Sequence, residues 1–138
     1  MAKATKSVDT PKRSGNAFQF GVATKTIIYA GTIVALNASG YIVPASDTAG
    51  LKVVGIAKAD VDNSTGENGA VNVDVECGVF RLNNSATKPL SQTDWNSKAF
   101  IEDDNTVAKA STNSVCAGVV VGVDDIGVWV DTKRIPTA

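Results

Sequence analysis

Residues branched at the β-carbon dominate the apolar part of this sequence. It contains 19 valines and 8 isoleucines but only 4 leucines, and 13 threonines accompany them. Such side chains are restricted in χ1 and pack well on a pleated surface, so they favour strands over helices. In a chain of 138 residues, this composition predicts one mainly β domain and excludes a helix bundle.

Turn residues divide the apolar sequence into short segments, as in a compact small β-barrel or β-sandwich. Residues 37–40 close a hairpin, because Gly40 can adopt positive φ. Ser91, followed three residues later by Asp94, predicts the start of one short helix. Strands are predicted at 18–29, 32–36, 41–43, 53–61, 70–82, 99–102, 106–108, 115–123 and 128–131.

Two of these predicted strands differ in polarity. In 70–82, Val71, Val73 and Val75 alternate with polar residues, which indicates one buried and one solvated face. The segment 115–123 is apolar on both faces. It is either a barrel interior backed by other structure or a face covered by another subunit, and we expect the second. The residues expected at this oligomer interface are Val115, Ala117, Val119, Val120, Val121 and Trp129.

The first 17 residues differ from the others in charge and hydropathy. Asp9 is their only acidic residue, and Val8 is the only apolar side chain larger than alanine after Met1. Such a segment cannot bury enough surface to offset the entropy of its own ordering. We expect a flexible basic arm at 1–17 and a single β domain at 18–138. The basic residues of the arm, which are candidates for binding a partner, are Lys3, Lys6, Lys12 and Arg13.

The sequence lacks the residues on which most catalytic sites depend. It has no histidine and two cysteines, which excludes Ser-His-Asp triads, Cys-His pairs and imidazole zinc sites. Ser85 and Lys88 match an S-x-x-K pattern but lie in a polar loop. Asp60 and Asp62 begin like a calcium-binding loop, but Thr65 stands where that loop requires glycine. We expect no enzymatic activity, no metal and no cofactor.

Charge and hydropathy also restrict the partners. A net charge of −1 argues against a surface that binds nucleic acid throughout. No apolar stretch approaches the roughly 20 residues of a membrane-spanning helix, and no apolar run near the start resembles a signal peptide. We therefore expect a protein made in a cytoplasm that binds neither nucleic acid nor a membrane.

Five segments of strand and turn residues follow the pattern of a known family. They are AGTIVALNASGYIVPA at 30–45, GLKVVGIA at 50–57, GVFR at 78–81, DDNTVA at 103–108 and AGVV at 117–120. Together they resemble the small head decoration, or capsid cement, proteins of tailed bacteriophages. The resemblance extends over about 17–131 and does not include the basic arm.

The resemblance implies a β-rich domain that assembles, commonly as a trimer, on the outside of an expanded capsid and stabilises the shell. The partner would be the major capsid protein, and the location would be the virion exterior after assembly in the host cytoplasm. One alternative is a carbohydrate- or ligand-binding β module of a phage tail or bacterial surface structure, although the chain has only two Trp and two Tyr. Another alternative is a small hydrolase that uses Asp103 and Asp104.

Overall fold

The structure is a computed structural model that describes residues 5–7 and 16–134. It confirms the predicted mainly β fold and contains a closed five-stranded barrel. The strands are β1 (Ala17–Gly21), β2 (Thr26–Ile28), β3 (Ile33–Leu36), β4 (Ile42–Pro44), β5 (Lys52–Ala57), β6 (Val61–Asn63), β7 (Asn72–Glu76), β8 (Val79–Asn84), β9 (Lys98–Ile101), β10 (Thr106–Ala108), β11 (Cys116–Val123) and β12 (Val128–Asp131).

Three of the predicted strands are wrong in extent, because each is two strands. The segment 18–29 forms β1 and β2, the segment 53–61 forms β5 and β6, and the segment 70–82 forms β7 and β8. Lys25, with φ of 57°, and Gly78, with φ of 156°, mark two of the breaks. A period of two along the sequence does not reveal such breaks, because both flanking segments keep the alternation.

The predicted short helix is a single 3-10 turn at Gln92–Asp94. Its first turn is fixed as expected, since the Asp94 carboxylate accepts a hydrogen bond from the backbone N–H of Ser91 at 2.8 Å. The turn does not continue because Asn96 adopts a positive φ of 70°. The N–H of Asn96 then donates to the carbonyl of Val120 at 2.7 Å, which directs the chain onto β11.

The strands form two five-stranded units with the same order. The first unit is a sheet of order β1-β7-β5-β3-β4. The second unit is the closed barrel, which read from β8 has the order β8-β12-β11-β9-β10. Neighbours in both orders are antiparallel. The barrel strands therefore correspond, in this order, to β1, β7, β5, β3 and β4 of the first unit. β2 and β6 form a separate two-stranded sheet.

Each unit is closed by a parallel contact between the strand that comes first in its sequence and the strand that comes third. β2 is not counted here, because it belongs to the separate two-stranded sheet. In the barrel, β8 pairs with β10, and Asn84 lies opposite Val107. In the first unit, Val22 follows β1 directly and forms a parallel bridge to Ile42 of β4. The first unit is therefore a sheet whose two edges meet through one bridge.

The strand register also repeats between the units. Ile56 lies opposite Glu76 in the first unit, and Val119 lies opposite Asp131 in the second. Gly55 directly precedes Ile56, and Gly118 directly precedes Val119. Both glycines have φ of 149°. A β-carbon at either glycine would collide with the backbone carbonyl oxygen of Glu76 or Asp131. Glycine is required at both bulges because the strands approach closely there.

The two units share one hydrophobic core. Buried side chains from β3 and β5 pack in the same cluster as buried side chains from all five barrel strands. A second, smaller cluster lies within the first unit. The shared cluster includes Ile33, Ala35, Ala45, Ile56, Leu82, Leu90, Ala99, Ile101, Val107, Val115, Ala117, Val120, Val128 and Val130.

We predict that Gly118→Ala lowers the free energy of unfolding by about 3 kcal/mol, because alanine is strained at this φ and would also meet the Asp131 carbonyl. Urea denaturation measures the change. Gly40→Ala is the control, since Gly40 has φ of 86° but nothing within 4 Å of its added β-carbon. It should cost about 1 kcal/mol. Equal costs at the two positions would show that the close approach at Gly118 does not matter.

Candidate interaction surface

An exposed tryptophan lies on the outer face of the barrel. Trp129 stands between Val128 and Val130, which are fully buried, so the alternation of β12 directs its indole outward. The side chain is 38% exposed, and Ile126 in the preceding turn is 69% exposed. Arg81 and Val79 lie on β8, whose register places them opposite Trp129 and Asp131. We call Val79, Arg81, Ile126 and Trp129 the barrel patch.

Trp129 is held in one orientation by its neighbours. Its indole N–H donates to the Asp124 carboxylate at 3.0 Å, and the guanidinium carbon of Arg81 lies 5.8 Å from the ring centroid. Opposite it, Gly122 leaves room for the ring, since a β-carbon there would lie 3.3 Å from Trp129 Cδ1. An ordered aromatic side chain loses little entropy on binding, so Trp129 is suited to act as an anchor.

Asp124 links this indole to the turn that carries Ile126. Its Oδ1 accepts the N–H of Ile126 at 2.8 Å and that of Gly127 at 2.9 Å. Hydrogen bonds hold the pKa of Asp124 below its usual range. The N–H of Ile126 has the largest effect, followed by the Trp129 indole and the N–H of Gly127. The carboxylate therefore stays charged into mild acid and orders the patch.

The first unit has a different pair of side chains at the position that corresponds to Arg81 and Trp129. Gln19 lies opposite Asp74 on β1 and β7, in the register that Arg81 and Trp129 occupy on β8 and β12. Gln19 donates a hydrogen bond to Asp74 at 3.2 Å. A small polar pair therefore satisfies the fold at this position. The strand register alone therefore does not require a large aromatic side chain at the position of Trp129.

A hollow lies at the corresponding place on the first unit. Its volume is ≈ 330 Å³. We call it the first-unit hollow, and it is lined by Ala17, Phe18, Gln19, Lys58 and Asp74. The two units thus present an exposed indole on one side and a hollow on the other.

Most of the residues expected at an oligomer interface are instead buried in the chain itself. Val115, Ala117 and Val120 belong to the shared core, and Val119 is 1% exposed. This corrects the expectation for these four residues, since they offer no surface to a second subunit. Register shifts before Gly118 and after Val120 interrupt the alternation of inward and outward side chains in β11. Consecutive residues can then both be buried, which explains why the sequence of this strand is apolar throughout.

Two of the expected interface residues keep accessible surface. Trp129 is exposed, and Val121, which the register shift leaves without a partner on β12, is half-buried. Arg81, Asp124 and Ile126 were not among the expected residues. The turn Asp-Asp-Ile-Gly gives a signal for them, because an isoleucine at the centre of a tight turn is seldom buried.

The basic arm is described at only one of its four candidate residues. Lys6 is exposed. Lys3, Lys12 and Arg13 lie outside the described residues. Its flexibility and its role in binding stay predictions.

The serine of the S-x-x-K pattern has a structural role. The Ser85 hydroxyl donates to the Glu102 carboxylate at 2.6 Å and accepts the N–H groups of Thr87 and Lys88 at 3.3 and 3.0 Å. Ser85 is also buried. Its hydroxyl therefore fixes the loop and is not directed toward a substrate.

The acidic turn proposed for hydrolysis is also used by the fold. The Asp103 carboxylate accepts the N–H of Asn105 at 3.0 Å. The backbone carbonyl of Asp104 accepts the N–H of Ile33 at 2.7 Å, which joins the two units. Residues 5–7 and 16–134 contain no group of three acidic or cysteine side chains that could hold a metal ion.

The two thiols are poor nucleophiles. Burial raises the pKa of Cys77 and of Cys116. The Cys77 thiol donates to the carbonyl of Val54 at 2.9 Å. Both cysteines therefore stay protonated at neutral pH, and the thiolate that nucleophilic attack requires is scarce.

Comparisons with protein-family models, with curated proteins and with solved structures found no match. In the described part of the chain, no helix has the length and hydropathy needed to cross a bilayer.

We predict that Val120→Asp destabilises the monomer by about 3 kcal/mol or more, because it places an unpaired charge in the shared core. Val121→Asp, one residue away and half-buried, is the control and should cost about 1 kcal/mol. Urea unfolding at low protein concentration measures both changes. If Val120→Asp changed the sedimentation of the protein without changing monomer stability, Val120 would belong to a subunit interface after all.

We predict that Asp124 makes the Trp129 environment sensitive to acid. Its lowered pKa means that the ionised carboxylate contributes stability above pH of about 4, and that this contribution is lost as the pH falls through the folded-state value. In a Trp95→Phe background, fluorescence reports Trp129 alone and should change below about pH 4. Asp124→Asn should remove this transition, and Asp125→Asn should retain it. A transition that survives in Asp124→Asn would have another origin.

Proposed function

We propose that the protein is a structural virion protein that binds the outer surface of an expanded phage capsid as an oligomer and stabilises the shell. The expected oligomer is a trimer, the expected partner is the major capsid protein, and the expected location is the virion exterior. The observation that carries the oligomer is the ordered, exposed pair of Trp129 and Arg81, and the resemblance to decoration proteins supports capsid binding. This pair occupies a position where the other unit has only a polar pair.

The chemistry of the barrel patch favours a protein partner. Tryptophan and arginine are the residue types that most often dominate the energy of protein interfaces. Ile126 adds exposed apolar surface beside them. A patch of this kind, on a rigid β body, is typical of a binding protein.

Avidity explains how small contacts can stabilise a shell. An oligomer presents several equal footprints at fixed spacing, and each further contact becomes intramolecular after the first. The gain can be on the order of a hundredfold when the spacing matches the lattice. A rigid oligomer therefore distinguishes an expanded shell from an unexpanded one.

The carbohydrate-binding alternative has one observation in its favour, which is the exposure of Trp129. Sugars stack on an open aromatic face. The Arg81 guanidinium lies over the Trp129 ring, so it covers a face that a sugar would need. Protein binding is therefore the better explanation of this pair.

We predict that the protein pellets with expanded shells much more strongly than with unexpanded shells, because only one lattice has the matching spacing. Co-sedimentation of the full chain with purified empty heads measures the difference. Equal binding to both forms would contradict the proposal. Binding to neither form, together with binding to a polysaccharide, would favour the carbohydrate module.

The same assay tests the basic arm. Replacing Lys3, Lys6, Lys12 and Arg13 with glutamine should weaken shell binding and reduce its dependence on salt, since screened charge attraction is removed. The matched control replaces the exposed Lys25, Lys52, Lys88 and Lys98 with glutamine, which removes the same charge from the body. Equal losses in the two variants would show that total charge, not the arm, governs binding.

A further inference from the structure

The repeat of the two units gives one chain both halves of a contact. The second unit exposes the Trp129 indole, and the first unit has the first-unit hollow at the corresponding place. The hollow, at ≈ 330 Å³, lies within the range of about 300–1,000 Å³ that is usual for ligand pockets. It is therefore large enough to receive an indole ring.

The charges beside the indole match those of the hollow. Arg81 lies over Trp129, and Asp74 lines the hollow. Asp124, which holds the indole N–H, carries a charge opposite to that of Lys58, which lines the hollow. Each member of one set can face a group of opposite charge in the other, which favours this pairing.

The charged groups of the hollow are accessible to a partner. The Lys58 ammonium lies 3.9 Å from the Glu76 carboxylate, and both side chains are about half exposed. Asp74 accepts a hydrogen bond from Gln19 through one carboxylate oxygen. Within the described residues, the other oxygen of Asp74 has no hydrogen-bond partner.

We propose that Trp129 of one copy docks into the first-unit hollow of a second copy, so that the copies associate head to tail. The contact joins two different surfaces of the same chain, and such heterologous contacts form a ring when the rotation between copies closes. The proposal deepens the proposed function by naming the contact that would hold the oligomer together. It depends on that function only for the expectation of an oligomer and not on capsid binding.

Sedimentation velocity of two variants tests the contact. The double variant Trp129→Asp with Arg81→Gln installs the first unit's own pair, which the same strand geometry already holds there, so it should fold. Asp74→Arg places a positive charge in the hollow opposite Arg81. Each variant alone should be monomeric at concentrations where the wild-type protein is an oligomer. The controls, Trp95→Ala and Glu67→Arg, change an exposed tryptophan and an exposed acid elsewhere and should leave the oligomer intact.

Mixing the two variants gives the decisive result. The first variant keeps an intact hollow and the second keeps an intact Trp129, so an equimolar mixture should form a dimer and no larger species. A contact between two barrel patches would instead let Asp74→Arg dimerise on its own, with no further association on mixing. That outcome, a monomeric wild-type protein, or variants that assemble like the wild type would each overturn the proposal.

One further variant identifies a competing occupant. If residues 1–15 filled the hollow of their own chain, the wild-type protein would be monomeric and their removal would create association, which would overturn docking in the full chain. Shell binding is separate from these outcomes. A head-to-tail oligomer that does not pellet with shells would contradict capsid binding and leave this contact standing. A monomer that pellets would overturn this contact and the expected oligomer, and would leave capsid binding standing.

Discussion

The fold depends on the burial that the two units achieve only together. A five-stranded unit of about 60 residues buries too little surface to be more than marginally stable alone. Here β3 and β5 of the first unit contribute to the same buried cluster as all five barrel strands. The hydrogen bond from the N–H of Ile33 to the carbonyl of Asp104 joins the units at the edge of that cluster. The two repeated units are therefore joined through one shared core.

The sequence was sufficient to predict the fold class and the place of most strands, because β-branched residues and turn residues act locally. Strand breaks at Lys25 and Gly78 were not predictable, since they depend on backbone angles that the alternation of polarity does not reveal. The repeat was also hidden. Phe18 and Phe80 occupy equal positions, as do Val75 and Val130, but the loops between the strands differ in length and shift the spacing.

The candidate site was only partly predictable for a related reason. Trp129 was expected at an interface and is exposed, whereas Val120 was expected there and is fully buried. The register shifts in β11 decide between these outcomes, and a shift of one residue exchanges the buried and exposed faces of a strand. Arg81 gained its importance from a cross-strand neighbour that is distant in sequence. Such pairings exist only once the strand order is known.

The unequal closure of the two units has a mechanical consequence. The barrel is closed by paired strands, β8 and β10, whereas the edges of the first unit meet through the single bridge between Val22 and Ile42. Tension applied across the molecule therefore opens the first unit at this bridge before the barrel yields, because fewer hydrogen bonds resist it there. The first unit is therefore the more weakly closed half of the protein, and the barrel is the more firmly closed half.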